Sequence, residues 1–493
     1  MVTFSRIFVT FACCMGKALE ILNLINDALW GYVIIAALIG CGLWFTWRTR
    51  FVQFRMVGEM LRLLTDSSVK PQGSERQRVG DGTSGMKHIS SFQAFAVSLA
   101  SRVGTGNLAG VATAIAVGGP GAVFWMWVMA LVGSATAFVE STLGQLFKQY
   151  HKDSFIGGPA YYIQRGLHCR WMAVLFAILI TVSFGLANNS VQTNTICGAM
   201  EGAFGWNPMA TGLVLVVMTL VIVFGGIQRI AKVSSVLVPV MAVGYFVLAI
   251  VVIVMNIQLV PHVFKVVIQC AFGLEQAVGG TLGAAIMNGV KRGLFSNEAG
   301  EGSAPNAAAT AAVSHPVKQG LIQALGVFTD TLVVCSCTAF IILISGLYTS
   351  PELNGIMLTQ AALESEVGSW GPVFVAIAIF LFAYSSMIGN YYYGEANVRF
   401  MTQSRTAMTT YRLLSGGVMV LFGAWTTLEV VWSMIDLCMA LLTACNLVAI
   451  ALLGKYVFRL LDDYRLQKRQ GIKEPTFQRS KLPEIAADIE CWE

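Results

Sequence analysis

Between Val103 and Gly110 the chain reads VGTGNLAG, and this run of glycine, threonine and asparagine sits inside an apolar stretch from Phe92 to about Gly118. Glycine is among the weakest helix formers, and an amide buried in an apolar medium without a partner costs on the order of a few kcal/mol. A helix unwound at Gly104 to Asn107 gives that cost a use. Its freed N–H groups can meet a carboxylate, and its freed carbonyls can bind a cation. The stretch Gly104 to Asn107 is therefore a candidate site for a carboxylate, a cation or both. A second weak point, Gly279, Gly280 and Thr281, lies in LEQAVGGTLGAAIMNGVKRG. The competing reading of either stretch is close helix packing through small residues.

Further polar residues stand in apolar surroundings. Gln192 follows Asn188 and Asn189, and FAYSSMIGNYYYGE carries Ser385, Ser386 and Asn390. Ser386 and Asn390 are four apart and share a helix face. The hydroxyls of Ser385 and Ser386 beside unwound carbonyls make an oxygen-rich site of the kind a hard cation such as sodium requires, whereas each hydroxyl alone could serve an interhelical hydrogen bond. Asp330 and Asp436 fall deep in apolar runs, where a charge is costly and marks gating or coupling. Glu140 and Glu395 lie nearer the ends of theirs and are expected to pair with Arg or Lys. RGLFSNEAGEGSAP, Arg292 to Pro305, reads as an inner gate or as a structural turn.

The elements that must hold these residues follow from composition. Of 493 residues, 56% are hydrophobic and 12% charged, and the mean hydropathy is +0.68, values of an integral membrane protein. Segments of roughly 20 apolar residues divide the chain into about eleven spans. They run approximately over 30–47, 92–118, 122–147, 171–196, 209–226, 234–255, 271–290, 321–347, 372–393, 413–425 and 430–458. The two glycine-interrupted spans are the second and the seventh. Paired weak spans in corresponding halves, running in opposite directions, point to a transporter built from inverted repeats, five plus five after one extra helix. The divisions are a leader over 1–29, the extra helix over 30–48, a linker over 49–91, repeats over 92–256 and 257–458, and a tail over 459–493.

Lys and Arg mark the cytoplasmic side. They cluster at 48–87, 148–170, Arg229 with Lys232, Lys291 with Arg292, Lys318, Arg399 with Arg405, and 455–469. The alternate connections, including 348–371, are nearly free of them, with Lys265 the exception. The N-terminus is thus expected outside and the C-terminus inside. The net charge of +6 follows from this topology rather than from a nucleic-acid partner. No phosphate-binding G-x-x-x-x-G-K-[ST] motif is present, and no cofactor is expected. The five histidines fall in or beside loops, leaving a metalloenzyme few ligands. A channel would call for a shorter repeated pore motif. The reading is a transporter rather than an enzyme, for which one chain suffices.

VGTGNLAGVATAIAVGGPGAVFWMW (103–127), GGPAYYI (157–163), RGLFSNEAGEGSAP and YYYGE (391–395) together resemble the alanine or glycine:cation symporters, also called sodium:alanine symporters. The likeness extends from about Trp30 to Lys455. It implies an all-α, leucine-transporter type of fold in a bacterial inner membrane and sodium-coupled import of alanine or glycine, with proton-coupled transport of a different small amino acid or a related carboxylate as the alternative. By position it implies substrate contacts at Thr105, Gly106, Asn107, Gln192, the region of Gly279 to Thr281, Ser386 and Asn390. Sodium would lie near Gly104, Ser385 and Ser386. Many members have tryptophan where this chain has Asn390.

Overall fold

Backbone N–H and C=O groups find no partners in lipid, so apolar runs of this length close their hydrogen bonds within helices. The computed structural model describes residues 19–65, 89–151, 154–273 and 281–492. Among these, seven helices have the length and composition to cross a membrane: α1 (Leu19–Arg48), α5 (Gly121–Leu146), α7 (Arg170–Phe204), α9 (Gly226–Met255, its span Arg229–Met255), α13 (Pro316–Ser345), α15 (Gly371–Met401) and α17 (Leu428–Arg469). Shorter apolar helices are α4 (Gly106–Gly118), α8 (Pro208–Val223) and α10 (Val260–Ala271). The remaining helices used here are α2 (Val57–Thr65), α3 (Ser91–Arg102), α6 (Pro159–Gly166), α11 (Leu282–Asn297), α12 (Ala304–Ala308), α14 (Gly355–Val367) and α16 (Arg405–Leu413). A small antiparallel hairpin pairs β1 (Gln149–His151) with β2 (Ser154–Ile156). The expected leader and much of the expected linker, with Gly279 and Gly280, lie outside the described residues.

The second span is broken as expected. Ser90 opens α3 with a reciprocal capping pair to Gln93, and α3 ends at Val103, whose extended backbone separates it from α4. In the second half the described residues show a break beyond the expected one. Thr281 is the exposed N-cap of α11, accepting from the Ala284 N–H at 3.3 Å. The helix runs on to Asn297, then turns at Glu298, Gly300 and Gly302, with φ of 56°, 99° and 80°, before α12 begins. Gly-Gly-Thr thus precedes a helix start, while NEAGEGS carries the residues that accept left-handed backbone.

The Glu140 carboxylate of α5 binds this second break, accepting from Gly300 N at 3.3 Å and Gly302 N at 3.1 Å. Asn446 of α17 joins it, donating to Glu140 at 2.8 Å and to the Gly300 carbonyl at 2.9 Å. Lys291 and Arg292 also depart from the sequence reading, which put them in a loop. They lie buried on α11, with Asp436 3.7 Å from Lys291 and 2.6 Å from Arg292. Lys318 is buried too, on α13. α14, within an expected connection, packs a largely buried face.

Past α17 the chain folds back across the basic ends of the helices. Phe477, Leu482, Ile485, Ile489 and Trp492 are buried. Phe477 N bonds the Ser314 carbonyl at 2.9 Å, and Trp492 Nε1 bonds the Gln145 carbonyl at 3.2 Å.

Candidate functional site

The break between α3 and α4 is where the polar residues converge. Gly104 N donates to Asn107 Oδ1 at 2.8 Å, while Thr105 gives both its N–H (3.0 Å) and its hydroxyl (2.7 Å) to Gln192 Oε1. Gln192 is oriented in turn by Asn188, at 2.8 Å and one helical turn earlier on α7. The donors freed by the unwound turn thus meet amide oxygens, whose geometry a carboxylate oxygen can reproduce.

On the other side of the same turn, α15 brings hydroxyls against main-chain oxygen. Ser386 Oγ lies 2.8 Å from Ala100 O, 3.2 Å from Val103 O and 3.1 Å from Phe382 O. Ser385 Oγ lies 2.8 Å from Phe382 O and 3.5 Å from Ala100 O. Each hydroxyl has one hydrogen to give, so the carbonyls outnumber the donors. Gly104 makes the approach possible: a Cβ there would fall 2.2 Å from Ser386 Oγ and 2.9 Å from Gln192 Oε1. All these residues are buried.

A third group links the breaks. Asn107 Nδ2 donates to Asp330 Oδ1 at 2.7 Å, and Asp330 Oδ2 accepts from Ser296 at 2.7 Å and Thr331 at 3.0 Å. Ser101 Oγ lies 2.6 Å from both Glu298 Oε1 and Asn390 Oδ1, and Ser303 also donates to Glu298. Arg102, buried and bonded to the Gln323 carbonyl at 3.1 Å, is within electrostatic reach of Glu140, Glu298, Glu301 and Asp330.

Thr105, Gly106, Asn107, Gln192, Ser386, Asn390, Asp330, Gly104 and Ser385 therefore share one region. Thr281 lies at the exposed start of α11, apart from it, and Asp436 sits in the ion pair with Arg292 and Lys291. The sequence reading had no claim on the carbonyls of Ala100, Val103 and Phe382, because any side chain can present them. Nor did it single out Ser101 or Glu301. Glu298 enters that reading only within a stretch taken as an inner gate or a structural turn, although its polar flanks in an apolar chain are a usable signal.

The family model described as the sodium:alanine symporter family matches residues 15–479. The "Probable sodium/glutamine symporter GlnT" of Bacillus subtilis (strain 168) is 51% identical over 97% of this chain and 97% of its own length. The "Amino-acid carrier protein AlsT" of the same organism is 50% identical over 96% and 97%. The crystal structure of MhsT in complex with L-phenylalanine superposes with a TM-score of 0.52 at 15% identity, covering 75% of this chain and 90% of that one. That likeness concerns the fold, which is of the leucine-transporter type.

Proposed function

The chain belongs to the sodium:alanine symporter family, and on that footing we propose that it imports a small neutral amino acid together with sodium by alternating access. The carrying observation is that one unwound turn offers both kinds of partner. Gly104 and Thr105 present donors on one side, and Ala100, Val103, Phe382, Ser385 and Ser386 present oxygen on the other.

In this reading the substrate carboxylate takes the place of Gln192 Oε1 on the Thr105 N–H and hydroxyl. Sodium takes the oxygen cluster, where it satisfies the carbonyls that the two hydroxyls cannot serve. The cation and the carboxylate then sit on opposite sides of Gly104, so each favours the other's binding, the condition for coupling. Asp330, bonded to Asn107 on one side of it and Ser296 on the other, ties the first break to the end of α11 and serves coupling; Asp436 holds α11 to α17 through Arg292 and serves gating. The remaining basic connections support a reading with the N-terminus outside and the C-terminus in the cytoplasm of a bacterial cell, the protein lying in the inner membrane.

Alanine or glycine is the first reading of the substrate. A carboxamide side chain is the second, and one observation favours it. Asn390 Nδ2, on the residue that meets Ser101, and Glu301 Oε1, in the turn that follows α11, are a donor and an acceptor buried without a partner among the described residues. A methyl side chain leaves both unpaired, at a cost of about 1–3 kcal/mol each, whereas an amide can pair with them. The relative described as a glutamine symporter agrees with this choice.

The test is uptake of labelled alanine, glycine and glutamine into proteoliposomes under an inward sodium gradient, a proton gradient, or neither. Concentrative uptake with sodium alone is expected. Uptake that ignores sodium, or none of any amino acid from folded protein, overturns the proposal.

A further inference from the structure

Five arginines line two adjoining cavities at the helix ends that carry the basic connections. One cavity, about 340 Å³, is lined by Arg165, Arg170 and Arg399 among others; the second, about 400 Å³, by Arg399, Arg405 and Arg412. Arg399 and Gln403 line both, and among the described residues no aspartate or glutamate lines either.

Internal pairing uses only part of this charge. Arg399 and Arg412 share one carboxylate, Glu395, at 2.5 and 3.6 Å. Arg165 meets Glu490 at 2.8 Å. Arg170 meets, among the described residues, the neutral Gln164 (2.5 Å) and the face of Phe400 (5.1 Å). Among the described residues no carboxylate comes within ion-pair distance of Arg170 or Arg405. Thr402, Ser404 and Thr409 also line the second cavity.

Exposed apolar side chains next to the lining arginines form a rim. Trp171, beside Arg170, is 71% exposed, and Leu413 and Leu414 at the end of α16 are exposed. Phe224, just past α8 and itself exposed, lies under the Arg412 guanidinium at 5.2 Å. Such side chains belong to the lipid-facing surface, with the tryptophan at headgroup level. A free phosphate or a nucleotide matches the arginines alone. A molecule with a phosphodiester on two acyl chains matches the arginines and the rim together.

We propose that these joined cavities seat the headgroup of an anionic phospholipid, with Arg399 at their junction and the acyl chains along Phe224, Leu413 and Leu414. The lipid braces α16 against α15, where Arg412 Nε already donates to the Tyr391 hydroxyl at 3.1 Å and Tyr411 OH to the Tyr391 carbonyl at 2.8 Å. Tyr391 directly follows Asn390, so occupancy acts on the helix that carries the serine pair.

The experiment uses the purified full chain in detergent. It measures retention of phosphatidylglycerol and of phosphatidylcholine with matched acyl chains by native mass spectrometry, and thermal stabilisation by each lipid and by inorganic phosphate. The double variant R170Q/R405Q tests the site, because neither arginine holds an ion pair that folding depends on. Selective retention of phosphatidylglycerol is expected, with affinity weakened about tenfold in the variant and no stabilisation by phosphate alone. Equal retention of the two lipids by the unmodified chain, or unchanged phosphatidylglycerol affinity in the variant, overturns the proposal. Stabilisation by inorganic phosphate equal to that by the lipid overturns the lipid as occupant.

Discussion

The Ser386 hydroxyl faces three carbonyl oxygens and can serve one of them, so its removal takes away a cation ligand rather than a structural bond alone. Ser386→Ala is expected to raise the sodium concentration for half-maximal uptake about tenfold or more with little change in thermal stability, read from sodium titrations of transport. Gly104→Ala puts a methyl group 2.2 Å from that hydroxyl and 2.9 Å from Gln192 Oε1. Sodium-dependent uptake should vanish in folded protein, whereas Thr281→Ala, at the exposed start of α11, should transport normally. Equal effects of the two substitutions would refute the placement of the site at the first break. Gln192→Ala and Asn107→Ala are each expected to lower kcat/KM at least about tenfold, since each strips an acceptor that organises the unwound amides. These residues were legible because an amide or hydroxyl in an apolar run demands an explanation. The carbonyls of Ala100, Val103 and Phe382 were not, since their side chains carry no trace of what the main chain does.

Among the elements, α11 shows how a break is set by backbone geometry. Gly300 and Gly302 hold φ of 99° and 80°, and a Cβ on Gly302 would come 2.7 Å from Pro159. Gly302→Ala should therefore cost about 1–3 kcal/mol through strain and the lost bond from its N–H to Glu140, seen as a lower thermal midpoint. The same helix is anchored by Asp436, which neutralises the buried Arg292 and Lys291. Asp436→Asn leaves two buried cations facing an amide, and a loss of about 3–5 kcal/mol is expected in thermal unfolding. A loss below about 1 kcal/mol would show that water reaches the pair. Glycine content alone could not separate the two weak points in this span. Gly279 and Gly280 lie outside the described residues and Thr281 caps the helix that follows them, while the turn that is described falls where Glu298, Gly300 and Gly302 alternate in left-handed backbone.

For the molecule as a whole, the returning C-terminal segment ties together helix ends that are far apart in the chain. Phe477 and Tyr464 pack against the buried His315 ring, and Trp492 and Phe155 lie under the Lys148 ammonium at 4.6 and 4.2 Å. Burial pushes the His315 imidazole below its usual value against the pull of Asp463, and pushes Lys148 down to about 7 against that of Cys491. Both therefore bind protons more readily when the segment is released. The His315 contribution to docking is lost as pH falls below its ordinary value of about 6.5, and the Lys148 contribution grows as pH rises above about 7. Limited proteolysis within 470–492 should accordingly be faster at about pH 5.5 than at about pH 8. Trp492→Ala should destabilise by about 3 kcal/mol and remove most of that pH dependence. Cleavage that is indifferent to pH in the unmodified chain would contradict this account.

By itself the sequence determined the membrane class, the helical architecture, the first broken span and the family, because each depends on composition or on residues close together in the chain. Lipid forces apolar runs to be helical whatever surrounds them, and a polar motif of eight residues keeps its meaning without a partner. Only the tertiary structure showed a break at Glu298 to Ser303, and that Lys291 and Arg292 pair with Asp436 instead of marking a loop. It alone also showed that main-chain carbonyls from two helices meet the serine pair. Each of these depends on contacts between segments remote in sequence, where burial and the availability of a partner, rather than residue type, set what a charge or a glycine does.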